Sequence, residues 1–123
     1  MTVKISWLEE PEERNYPAAL SYLQLMFPAD TADSLVKKLK EAPVSTFKAK
    51  DIFRASGLSL LGVSNWHVEK DRQKIASGKS LSPLLLVRGQ GQVIIADGYH
   101  RMCAVYSIDE DALIPCKIVG VSP

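Results

Sequence analysis

Cysteine is scarce in this chain. Cys103 and Cys116 are the only two in 123 residues, too few for a disulfide framework or a cysteine-built zinc site. Histidine is equally scarce, with His67 and His100 alone. No paired-carboxylate signature or His-x-x-Glu metal set accompanies them, so no metal ligand set is read. No apolar run approaches the length of a membrane span, and the N-terminus lacks the basic-then-apolar pattern of a secretory signal. A reduced, cytoplasmic protein without a membrane partner is therefore expected. Charge of one sign is lacking too: fifteen Lys and Arg against fourteen Asp and Glu leave a net charge of +1. That argues against a basic nucleic-acid binder. Repeats and low-complexity tracts are absent.

What remains is an ordinary globular composition, 46% apolar and 24% charged, long enough for one domain with a core of its own. Its charge is uneven. Residues 1–45 carry five basic and seven acidic side chains, and residues 46–123 carry ten and seven.

Val3, Ile5 and Trp7 alternate and suggest a short strand. An acidic loop follows, then a helix from Asn15, which is expected to cap it, with Pro17 in the first turn and Pro28 at the end. A second helix starts near Asp30 or Thr31, burying Leu35, Val36 and Leu39 and closing at Pro43. "STFKAKDIFRASGL" predicts a third, short helix with Ile52 and Phe53 inward and Gly57 as its stop. "NWHVEKDRQKIASG" predicts a fourth, capped by Ser64 or Asn65 and stopped by Gly78. "SPLLLVR", "GQGQ" and "VIIAD" then read as a hairpin, followed by a helix from about Tyr99 to Ile108. "LIPCKIV" is a last strand. The fold class is α+β: a small mixed sheet with interleaved helices, preceded by a helical extension over residues 1–47. The two parts, 1–47 and 48–123, are expected to make one compact unit.

The chemistry concentrates in two places. His67, Lys70 and Lys74 are spaced i, i+3, i+7 and share one face of their helix, beside the buried Val68 and Ile75. A charged helix face is by itself usually only solvated. The second place is "IIADGYHRMCAVY". Here a glycine leads from a strand into a helix whose first turn holds His100 and Arg101. A helix N-terminus carries about half a positive charge, so cations there are unfavourable. Unpaired backbone N–H groups at such a start form a ready anion site, and a guanidinium suits phosphate oxygens. In the competing reading Asp97 is the N-cap and pairs with Arg101, and His100 is a surface histidine. The local residues leave both readings open. Tyr99, Met102, Val105 and Tyr106 form a helical stripe expected in the core, with Cys103 and Cys116 as buried, inert thiols. A Cys103–His100 catalytic pair is a minor alternative, since only Arg101 is at hand to lower the thiol pKa. "GQGQ" has no Lys or helix after it, so the Walker pattern fails.

The order of these motifs over residues 48–119 resembles the ParB/sulfiredoxin superfamily: the "NWHVEKDRQKIASG" helix, "LSPLLLVRG", a hairpin, "VIIADGYHRMCAVY" and "LIPCKIV". The sulfiredoxin turn reads Gly-Gly-Cys-His-Arg, and that of ParB N-terminal domains reads Gly-Glu-Arg-Arg. Gly98, His100 and Arg101 match the sulfiredoxin turn. Tyr99 takes the place of the catalytic cysteine, and a phenol cannot replace the thiol nucleophile, so sulfiredoxin activity is not expected. The resemblance implies a site for nucleotide phosphates, with ATP, ADP or CTP and magnesium as cofactors. Gly98, Tyr99, His100 and Arg101 would form it, with His67, Lys70 and Lys74 facing it from the preceding helix. Because the superfamily includes a free serine kinase, phosphoryl transfer is one implied activity, with Asp97 or Glu69 as base or magnesium ligand. A non-catalytic regulatory or interaction module, meeting a protein partner through residues 1–47, is the alternative. A ParB-like DNA-associated protein is the third. The near-neutral charge, and a chain that ends at Pro123 without a recognition domain, make sequence-specific DNA binding unexpected.

Overall fold

The structure is a computed structural model, and it describes residues 4–62, 65–89 and 91–121. Its elements run α1 (Asn15–Leu23), α2 (Ala29–Glu41), β1 (Ser45–Lys48), α3 (Ala49–Ser56), α4 (Trp66–Ala76), β2 (Leu84–Arg88), β3 (Val93–Asp97), α5 (Tyr99–Ile108) and β4 (Leu113–Gly120). The four strands form one mixed sheet in the order β1-β4-β2-β3. β1 is antiparallel to β4, β4 parallel to β2, and β2 antiparallel to β3.

The apolar run Leu84–Val87 explains the layering. Side chains alternate across a strand, so Leu84 and Leu86 enter one core with Ile95, Ile114 and Cys116. Leu85 and Val87 enter the other with Ile94 and Ala96. A strand buried on both faces needs helices on both sides. Leu23, Leu35 and Leu39 of α1 and α2 close the second core. Ile52 of α3, Val68 and Ile75 of α4, and Met102 and Val105 of α5 close the first. The result is a three-layer α+β fold. The helices of residues 1–47 are one of its layers, and the boundary at 47/48 falls inside β1.

Four local expectations are corrected. Asn15 does not cap α1: Arg14 precedes the helix and no side chain caps it. The Asn15 side chain is buried and accepts a hydrogen bond from the Ser82 hydroxyl. The Ser82 hydroxyl in turn accepts from the backbone N–H of Glu12 at 3.0 Å. α1 ends at Leu23, short of Pro28, which instead stands immediately before α2. The third helix begins only at Ala49, because Ser45–Lys48 pairs along β4 as an edge strand. At the N-terminus, Trp7 forms only an isolated parallel bridge with Leu81. Val3 and Ser64 lie outside the described residues, as does Gln90 of the hairpin turn.

The other elements follow their sequence signals. Gly57, at φ 67°, stops α3 in the left-handed conformation. Lys117 is buried on β4. Its ammonium donates to the Lys40 carbonyl at 2.9 Å and pairs with Glu10 at 3.0 Å, tying the N-terminal segment, α2 and the sheet together. Among the described residues no helix is long and apolar enough to cross a membrane.

Candidate functional site

β3 delivers the chain to the site with a bulge. Leu85 pairs with Asp97 but Leu86 pairs with Ile95, so Ala96 is an extra residue just before Asp97 and Gly98. Bulges of this kind bend a strand and re-aim its end. Gly98 then turns into α5 at φ 109°. A Cβ on Gly98 would lie 2.6 Å from Leu84 Cγ and 2.9 Å from Arg101 Nη2, so both the torsion and the space require glycine. No side chain caps α5, and its first turn holds no acid.

α4 begins differently. Asn65 Oδ1 accepts from the backbone N–H groups of His67 at 3.0 Å and Val68 at 3.2 Å, the ordinary N-cap bonds. Burial of Val68 and Ile75 against the core fixes the helix rotation and turns His67, Lys70, Asp71 and Lys74 toward the start of α5. The rings of His67 and His100, each the second residue of its helix, lie 4.8 Å apart between centroids.

Together these residues line a cavity of about 200 Å³. α4 contributes His67, Lys70, Asp71 and Lys74, and the turn into α5 contributes Asp97, Gly98, Tyr99, His100 and Arg101. Every residue expected to bind phosphate is therefore in one place. Glu69 does not line the cavity; it pairs with Arg72 at 3.5 Å on the neighbouring face. Asp71, which the sequence reading passed over, does line it. The signal was present, since Asp71 is four residues from His67 and so shares its face.

The electrostatics combine both earlier readings of Arg101. Its Nη2 donates to Asp97 Oδ2 at 2.8 Å, with only 16% and 18% of the two side chains exposed. Asp97 is thus a partner of Arg101 and not the cap of α5. The Arg101 Nε–H is buried without an acceptor, which is unusual for a buried donor. Burial raises the Asp71 carboxyl pKa, against the opposing pull of Lys74, Arg101, His100 and Lys70. Burial also lowers the His100 pKa, helped by His67 and Arg101 and opposed by Asp71. Tyr99 donates its hydroxyl to the Ser59 carbonyl, which pins the connection before α4. Burial raises its phenol pKa.

The thiols are not nucleophiles here. Cys103 is fully buried and burial raises its pKa, so the Cys103–His100 pair finds no support. Burial pushes Cys116 up to about 12. Among the described residues no three His, Cys, Asp or Glu side chains come together as a metal site. Comparison with protein-family models, curated proteins and solved structures finds no match.

Proposed function

We propose that the cavity between α4 and α5 binds a phosphate-bearing ligand, a nucleotide or phosphorylated small molecule. The observation that carries this reading is the convergence of Lys70, Lys74 and Arg101 with His67 and His100 at the uncapped start of α5. Backbone N–H groups in a first helical turn have no acceptor within the helix and carry partial positive charge. The His67 and Val68 donors in the first turn of α4 are already taken by Asn65, so α4 contributes its side chains Lys70 and Lys74, and the backbone field comes from the start of α5. An anion of two charges would offset this field and offer acceptors to the unmet Arg101 donor.

The ParB/sulfiredoxin-like resemblance belongs to this proposal. It is supported by the element order from α4 to β4 and by Gly98, His100 and Arg101 at a helix start. Tyr99 in the nucleophile position, with its hydroxyl engaged by Ser59, supports the absence of sulfiredoxin chemistry. Magnesium would arrive with the phosphates of ATP, ADP or CTP. One or two carboxylates plus phosphate oxygens and water suffice for that ion, and Asp71 and Asp97 are the carboxylates present in the cavity. In this reading Asp71 takes the role first given to Glu69. A cytoplasmic location, where such ligands are abundant, goes with it.

The test is a melting-temperature screen against phosphate, ribose 5-phosphate and nucleotides, with and without magnesium. A ligand at a hundred times its Kd adds about 2.7 kcal/mol, several degrees for a domain of this size. No shift with any phosphate compound would refute the proposal. A second reading, a module that binds a protein, is favoured by Tyr22, Leu25 and Met26. These are 40%, 83% and 46% exposed in the last turn of α1 and just after it, three apolar side chains within five residues. Its test is whether polar substitution of Leu25 abolishes capture of a partner.

A further inference from the structure

A row of four aromatic rings runs along the rim of the cavity. Tyr99 meets His100 at 5.5 Å between centroids, His100 meets His67 at 4.8 Å, and His67 meets Trp66 at 5.0 Å with the two rings nearly perpendicular. Three of these rings line the anion cavity. The fourth, Trp66, stands at the outer end of the row and is 66% exposed. A tryptophan so open to water is uncommon, because its large apolar surface favours burial. Trp66 is the first residue of α4 and faces away from the core that holds Val68 and Ile75. Its position is nevertheless defined. The Lys70 ammonium lies 5.0 Å from its ring centroid, and Lys70 itself lines the cavity. One cation thus joins the anion site to an open aromatic surface.

Resting on the phosphate-site reading above, we propose that Trp66 is the stacking platform for a planar heterocyclic base attached to the phosphate ligand. The preferred ligand class is then nucleoside phosphates and not sugar phosphates or inorganic phosphate. The base would lie against the open surface of the indole while the phosphates reach the start of α5. Stacking on an aromatic side chain tolerates any base, since every base has a π-face. Trp66 would therefore set the class of ligand without choosing among bases.

The experiment compares the unaltered protein with Trp66→Leu and Trp66→Phe. Affinities for inorganic phosphate, ribose 5-phosphate and a nucleoside diphosphate are measured by calorimetry, and tryptophan fluorescence is followed in parallel. The unaltered protein should bind the nucleoside diphosphate about tenfold or more tightly than ribose 5-phosphate, with quenching of its fluorescence. Trp66→Leu should remove that advantage, leave the affinity for inorganic phosphate unchanged, and lose the quenching, with Trp7 as the remaining reporter. Trp66→Phe should restore most of the advantage. Because the side chain is exposed, both variants should keep the parent melting temperature. If sugar phosphate and nucleotide bind equally well, or if Trp66→Leu weakens all three ligands alike, the platform is refuted while the anion site stands. If none of the three binds, both proposals fall together.

Discussion

Helices α4 and α5 lie against each other with their first turns adjacent, yet they begin in opposite ways. α4 opens on Asn65, whose side chain satisfies two backbone donors, and carries Glu69 in its first turn. α5 opens on a left-handed glycine, has no side-chain cap, and carries His100 and Arg101 where acids would be favourable. One start is completed by the chain itself. The other is uncapped and holds positive side chains, the feature on which the proposed anion site rests. The contrast teaches more than either helix alone. α1, α2 and α3 also begin without a side-chain cap, so what sets α5 apart is the pair His100 and Arg101 in its first turn, with Lys70 and Lys74 facing it across the cavity.

The largest expected effect comes from closing that bare start. Gly98→Ala would force a Cβ to within 2.6 Å of Leu84 Cγ, in a fully buried layer, at a φ of 109°. Strained torsion and overpacking together should cost about 3 kcal/mol or more, read as a fall in the urea midpoint. An unchanged midpoint would mean that the turn does not need its left-handed residue, and the contrast between the two helix starts would lose its basis.

The next effect separates the two roles of Arg101. Arg101→Ala should weaken phosphate binding about tenfold or more, since a charge-assisted hydrogen bond is worth about 1.5–3 kcal/mol. It should also lower stability, because Asp97 is left without its partner in a partly buried site. Asp97→Asn sharpens the comparison: it removes the competing carboxylate and should raise phosphate affinity in titration calorimetry. Loss of stability in both variants with unchanged affinity per folded molecule would make the pair purely structural.

How much of this was legible in the sequence depended on whether the determining contact was local. Residues that share a helix face declare themselves by spacing, and so His67, Lys70 and Lys74 were readable as a set, as were Val68 and Ile75. The α5 boundaries followed from Gly98 and from the apolar stripe of Met102 and Val105. β1 was not legible, because Ser45–Lys48, for all the strand preference of Thr46 and Phe47, is only four residues long, too short to show a period, and is made a strand by pairing with β4, some seventy residues away. Asn15 misled for the same reason. Its residue type suits a cap, but Ser82 takes its side chain, and nothing near residue 15 announces that. The partnership of Asp97 with Arg101 had a local signature at i, i+4, which explains why it stood among the alternatives. The row of rings ending at Trp66 needed the packing of two helices and had no linear signal.

A smaller effect belongs to the completed start. Asn65→Ala should destabilise the protein by about 1 kcal/mol, the usual worth of such a cap, and leave phosphate affinity unchanged. A thermal melt and one titration decide it. If affinity falls as well, the first turn of α4 binds the ligand too, and the two helix starts are less different than their caps suggest.

The smallest effect concerns protons. Burial, His67 and Arg101 lower the His100 pKa from 6.5, against the pull of Asp71, while Lys70 and Lys74 add their positive charge to the same cavity. Between the folded pKa and 6.5, the unfolded chain therefore binds a proton that the folded one does not. Ligand-free stability should fall as pH drops through that window. Asp71 acts with the opposite sign: its raised pKa lets the folded state hold a proton that the unfolded state has lost above 3.8. Its penalty is relieved as pH falls further. An anion reverses the His100 term, because it favours the protonated His100 imidazole that burial, His67 and Arg101 disfavour. Binding should then take up a proton. Sulfate is the appropriate probe, since its own charge stays constant near neutrality. Its affinity should rise as pH falls from 7.5 toward 5.5, roughly the range over which an unperturbed histidine titrates. In His100→Gln that rise should be smaller, and the ligand-free loss of stability below pH 6.5 should shrink with it. A sulfate affinity independent of pH in the unaltered protein would place the anion away from His100 and make the start of α5 as self-sufficient as that of α4.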